Sequence, residues 1–121
     1  QGVQMNILLY LMKNPVQSAS AEYNDNRISL YAGQQGKCFV TGEPLQIGNM
    51  ETHHRKPRGQ GGTDEYKNLC LVTADIHRLI HAVQEDTVQR YCNKLHLTAE
   101  ALEKLNRLRV SVGNCKITEI F

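Results

Sequence analysis

No run of about 18 or more apolar residues occurs in this chain, so no stretch of it has the makings of a membrane-spanning helix. Its opening residues lack the basic start and long apolar middle of a secretory signal, which points to a cytoplasmic protein or to a piece of a longer one. The four cysteines, at 38, 70, 92 and 115, form no Cys-x-x-Cys pair. That excludes a dithiol redox motif and a spelled-out zinc ribbon, and without a secretion signal the four are expected as free thiols. Neither G-x-x-x-x-G-K-[ST] nor G-x-G-x-x-G is present, so the adjacent Gly61 and Gly62 read as a backbone requirement rather than a nucleotide cradle. Charge of one sign is also missing. With 14 Lys and Arg against 12 Asp and Glu, the net charge of +2 is compatible with a nucleic-acid partner without demanding one. No internal repeat is evident.

What is present suits one globular unit. The chain has 121 residues, 40% of them hydrophobic and 21% charged, enough for a single modest core and one active site. Residues 4–12 read as a short helix that Asn14-Pro15 ends. Residues 17–26 are polar and read as a loop, and residues 27–36 as a helix closing at a glycine. From 37 to 73 helical periodicity disappears. Short extended segments around Met50 to His54 and Leu69 to Val72, with a glycine-rich loop between them, make this an irregular β unit. Helical spacing returns from Asp75 to His81, and two more helices are expected at about 84–95 and 98–112. Thr98 is placed to cap the last of these, Leu102, Leu105 and Leu108 form its core stripe, and Gly113 stops it.

Four of the five histidines cluster between positions 53 and 81. His77 and His81 are four apart, and on a helix such residues share a face, so both can aim ring nitrogens at one ion. His53 and His54 are adjacent, and in an extended segment they point to opposite faces. One of them can then join the metal while the other acts on a water or a substrate, as a neutral imidazole can near pH 7. Asn68 follows the glycine-rich loop and can fasten it by side-chain hydrogen bonds. Arg55, Lys56 and Arg58 crowd beside the histidine pair and supply the cations that a phosphodiester needs. His96 stands alone and reads as an ordinary surface or core residue, and Cys70, flanked by Leu69 and Leu71, as a small core residue.

The run THHRKPRGQGGTDEYKNLCLVTADIHRLIH resembles the HNH, or ββα-metal, nuclease motif, with the likeness extending from about Lys37 to His81. The segments GKCFVTGEPL, METHHRKPR, GGTDEYKNL and HRLIHA look like the HNH domain at the C-terminus of bacterial group II intron reverse transcriptase/maturases. This resemblance implies an α+β fold: a ββα-metal core at 37–83, a small antiparallel hairpin plus a helix, with helical extensions at 1–36 and 84–121. It implies His54 as general base and Asn68 as the residue that orients it. His53, His77 and His81 take the metal positions, with one divalent ion, magnesium or manganese for catalysis and zinc in a purified sample. The implied partner is DNA, double- or single-stranded, and the maturase setting adds an intron RNA. Many HNH domains also hold a structural zinc with two Cys-x-x-Cys pairs. Here Cys38 has Thr41 where its partner would stand, and Thr73 and Ile76 occupy the other pair's positions, so no four-cysteine site is expected.

Two functions follow from these residues. The first is a DNA-hydrolysing endonuclease that nicks if it acts as a monomer. Its alternative is a metal-stabilised nucleic-acid-binding module of an intron-encoded maturase that does not cut. Retention of both His54 and Asn68 favours the first.

Overall fold

The computed structural model describes residues 2–118; Gln1 and residues 119–121, which fall within the expected terminal extensions, lie outside the described residues. Helix α1, Met5–Lys13, buries Ile7 and Leu11, one turn apart, and ends where Asn14 precedes Pro15. Helix α2, Ala21–Gly33, starts much earlier than expected. Residues 21–26, read as loop from their polarity, are its first two turns. The cause is local and tertiary together. The Ser20 hydroxyl accepts from Tyr23 N–H at 3.0 Å and caps the helix, while Asn24 and Asn26 spend their amides on Val16, Ser20 and Asp64 carbonyls. The polar side chains tie distant chain segments to the helix instead of breaking it. After Gly33 the chain leaves through Gln35 and Gly36, both at positive φ.

The region from 37 to 50 is a chain of turns held by isolated bridges, Lys37 to Pro44 and Gln46 to Asn49. Strands β1, Glu51–His54, and β2, Leu69–Val72, then pair antiparallel, with His53 opposite Cys70 and His54 opposite Leu69. All four residues of β2 are buried, because α2 packs against this strand while α3 packs against the hairpin through β1. Cys70 is indeed part of the core. The connecting loop is drawn tight at its glycines. Gly61 sits at φ +88°, and a Cβ on Gly62 would overlap the Lys56 carbonyl.

Helix α3, Ala74–His81, is capped by Thr73, whose hydroxyl accepts from Ile76 N–H. It buries Ile76, Leu79 and Ile80 on one side and carries His77 and His81 on the other. Helices α4, Glu85–Leu95, and α5, Ala99–Ser111, follow. Thr98 caps α5, Leu105 and Leu108 are fully buried, and Leu102 packs at the margin of the core. The architecture is thus α+β: a two-stranded antiparallel hairpin and one helix as a ββα core, flanked by α1 and α2 before it and α4 and α5 after it. All five helices and β2 contribute to one hydrophobic cluster. No helix of the described residues is long and apolar enough to cross a membrane.

Candidate metal centre and its histidine neighbour

Strand β1 sends His53 toward α3, where it meets the two histidines of that helix. The three rings form a nearly equilateral triangle, with centroids 5.2, 5.3 and 5.4 Å apart and every pair edge to face. One ligand nitrogen from each of His53, His77 and His81 lies within 4.8 Å of the others, close enough to bind one metal ion. His53 is only 1% exposed, and its Nε2 is buried without a hydrogen-bond partner among the described residues. A buried nitrogen left unpaired is costly unless something else satisfies it. Burial first, then the neighbouring His77 and His81, pull the His53 pKa down to about 3, so the ring is neutral and keeps a free lone pair. Burial, helped by His77, lowers His81 as well.

A carboxylate completes the arrangement. Glu51 Oε1 lies 2.6 Å from His77 Nδ1, which makes Nδ1–H the donor and leaves the lone pair on Nε2. Metal-binding histidines commonly give their second N–H to a carboxylate, which fixes the ring and raises its basicity. Three imidazoles, one orphaned buried nitrogen and an orienting carboxylate fit a divalent ion.

His54 lies on the opposite side of β1, in separate company. Its ring stacks on Tyr23 of α2, with centroids 6.0 Å apart and planes 16° from parallel. Its Nε2 is 2.9 Å from Asp64 Oδ1 and 3.2 Å from Arg58 Nε. One nitrogen cannot donate to the first and accept from the second. The shorter contact to an ionised carboxylate decides the matter, since Arg58 has Asp64 Oδ1 as its own acceptor at 3.0 Å. His54 therefore donates Nε2–H and keeps Nδ1 as its basic nitrogen. The hydrogen bond from His54 and then that from the Ser20 hydroxyl, 2.7 Å from Oδ2, hold the Asp64 carboxyl below the usual carboxylate range.

Asn68 closes the loop that carries these groups. Its Oδ1 accepts from Lys56 N–H at 2.9 Å, and its Nδ2 donates to the carbonyls of Lys56 and Thr63. The three cations beside the histidines diverge. Arg58 joins His54 and Asp64, whereas Lys56 is exposed beside Gly61. Arg55 lays its guanidinium 4.6 Å from the centre of the Phe39 ring, and its Nε is buried without a hydrogen-bond partner among the described residues. His96 is exposed and occupies the left-handed position that ends α4. The four cysteines are free thiols, three of them buried.

Sequence reasoning missed Glu51, Asp64 and the α2 residues around Asp64. Glu51 had a signal: it stands two before His53 in a strand, hence on the same face. Asp64 had none, because its partners Ser20 and Asn26 lie some forty positions earlier in the chain. Comparison with protein-family models, with curated proteins and with solved structures returned no match for this chain.

Proposed function

We propose that the chain is a metal-dependent endonuclease of the HNH, or ββα-metal, kind, hydrolysing DNA phosphodiester bonds. The observation that carries this reading is the convergence of His53, His77 and His81 on one point, with adjacent His54 on the other face of β1 and held by its own carboxylate.

His53, His77 and His81 would hold one divalent ion, with Glu51 setting the His77 ring. When bound, such an ion stabilises the charge that develops on the scissile phosphate and on the leaving oxygen. Magnesium or manganese suits that work, while three imidazoles also suit zinc in a purified sample. The rest of the chemistry belongs to the chain. His54, with Nε2–H given to Asp64, takes onto Nδ1 the proton of a water that attacks phosphorus. General-base assistance of this kind is worth about 100- to 10,000-fold. The P–O3′ bond breaks in line and its oxygen takes a proton from solvent, which leaves a 5′-phosphate and a 3′-hydroxyl. Asn68 keeps the loop closed so that Asp64 stays on His54, and Lys56 and Arg58 neutralise flanking phosphates. One such site reaches one strand, so a monomer nicks. The substrate is double- or single-stranded DNA, and in a maturase setting an intron RNA is a second partner.

The test is cleavage of supercoiled plasmid by metal-stripped protein, supplied separately with magnesium, manganese or zinc, with His54→Ala in parallel. Nicked circles from the wild type but not the variant are expected. Tight DNA binding with no cleavage under any metal would instead favour the non-cutting, metal-stabilised binding module.

A further inference from the structure

A cavity of about 510 Å³ opens between α1, α2 and the start of β1 with the turn before it. His77 and Glu51 form part of one wall, so it adjoins the candidate metal centre. Tyr10 of α1 and Tyr23 of α2 form another part, and Tyr23 is also the residue stacked on His54. The cavity thus touches both halves of the site.

Its chemistry is uneven in an informative way. Glu51 is already committed to His77. Arg27, also on the wall, makes one weak hydrogen bond among the described residues, to the Asn14 carbonyl at 3.3 Å, and pairs with no carboxylate there. It is the uncommitted charge, and it is positive. The rest of the lining mixes apolar side chains, Leu11, Val16 and Leu71 among them, with the polar Asn14 and Thr52. Tyr10 is 41% exposed, so its ring is open to a ligand. A cavity whose wall carries two tyrosines and one guanidinium free of carboxylate partners among the described residues is complementary to a planar base joined to a phosphate. The size falls within the range of small-molecule sites, roughly 300–1,000 Å³.

We infer that this cavity seats one unpaired nucleotide of the DNA strand next to the scissile phosphate, its base against Tyr10 and Tyr23 and its phosphate toward Arg27. The inference rests on reading the neighbouring histidines as a phosphodiester site. It adds that the N-terminal helices bind substrate and that the preferred substrate is unpaired at this position, since a base inside a duplex stack cannot enter a pocket.

The experiment is fluorescence-anisotropy titration of a short labelled single-stranded oligonucleotide, and of the matching duplex, with metal-free protein in a chelator. Binding is then read without cleavage. Tyr10→Ala and Arg27→Ala should each weaken single-strand binding by about ten-fold, the scale of one lost stacking or charge contact. Tyr10→Phe should restore it, and duplex affinity should hardly move. Arg107→Ala, an exposed cation on α5, controls for loss of bulk charge. Unchanged single-strand affinity in Tyr10→Ala, or an equal loss in Arg107→Ala, would overturn the inference. Plasmid nicking by the same variants separates the two claims. Nicking without the Tyr10 effect removes the pocket and keeps the nuclease, and the Tyr10 effect without nicking does the reverse.

Discussion

Glu51 and His77 meet across the ββα core, carboxylate oxygen to Nδ1 at 2.6 Å, and this pair sets which nitrogen of His77 faces the other two histidines. Glu51 is largely exposed, so the pair adds little to stability. Its effect is expected on metal affinity. Glu51→Gln should lower affinity for zinc by about 10- to 100-fold, the usual cost of losing such an outer partner, measured by competition with a chromophoric chelator. Unaltered affinity would reduce the contact to a surface ion pair.

The histidine triangle predicts a linkage between metal and folding. An ion at a hundred times its Kd should add about 2.7 kcal/mol to unfolding free energy. Adding zinc to metal-stripped protein should therefore raise the midpoint of thermal unfolding. His77→Ala and His81→Ala change residues outside the core, so both variants should fold and neither should show the full rise. An equal rise in His77→Ala would place the ion elsewhere.

Asn68 spans the base of the loop with three hydrogen bonds, two of them donated. Asn68→Ala should cost about 1–3 kcal/mol in urea unfolding. Asn68→Asp keeps the acceptor for Lys56 N–H and loses both donations, so it should fall between the two. If Asn68→Ala unfolds like the wild type, the side chain is not what closes the loop.

Much of the core was legible in the sequence because local rules produced it. Both strands lie in the stretch where helical periodicity disappears, on either side of a glycine-rich loop, and the cap of α5 at Thr98 was visible as a hydroxyl ahead of a leucine stripe. The spacing of His77 and His81 contained their shared face, and the adjacency of His53 and His54 contained their separation. What local rules could not contain was tertiary. Residues 21–26 look like loop because asparagines prefer turns in isolation, yet here their amides reach Val16, Ser20 and Asp64. Asp64 is tied to Ser20 and Asn26, 44 and 38 positions before it, by contacts that only the folding of α2 onto the loop creates.

The cysteines offer a test that is independent of function. Cys38, Cys70 and Cys92 are buried, whereas Cys115 is exposed. Burial pushes the Cys70 thiol up to about 12, so it stays protonated and unreactive in the folded chain. An aromatic disulfide reagent at mildly alkaline pH should therefore titrate one thiol rapidly in native protein and all four in guanidinium. Rapid reaction of Cys70 without denaturant would contradict the placement of β2 in the core.

Arg109 is a buried guanidinium with no carboxylate partner among the described residues. It sits on α5, 3% exposed, and donates to the carbonyls of Leu79, Ala82 and Cys115. The first two are the unpaired carbonyls at the end of α3, where a cation is favoured by the helix dipole. Burial pulls its pKa below the ordinary guanidinium value, and these hydrogen bonds offset that desolvation. Arg109→Met should cost about 1–3 kcal/mol, since it takes the side-chain donor from the Leu79 and Cys115 carbonyls, while Ala82 keeps that of Asn114. Arg109→Lys should recover only part of this, because an ammonium cannot reach all three carbonyls in the planar fork of arginine. His81 is the last residue of α3, so loosening that end should also weaken zinc binding. Zinc affinity that stays at the wild-type level in a folded Arg109→Lys protein would mean that α3 is held in place by its buried Ile76, Leu79 and Ile80 alone.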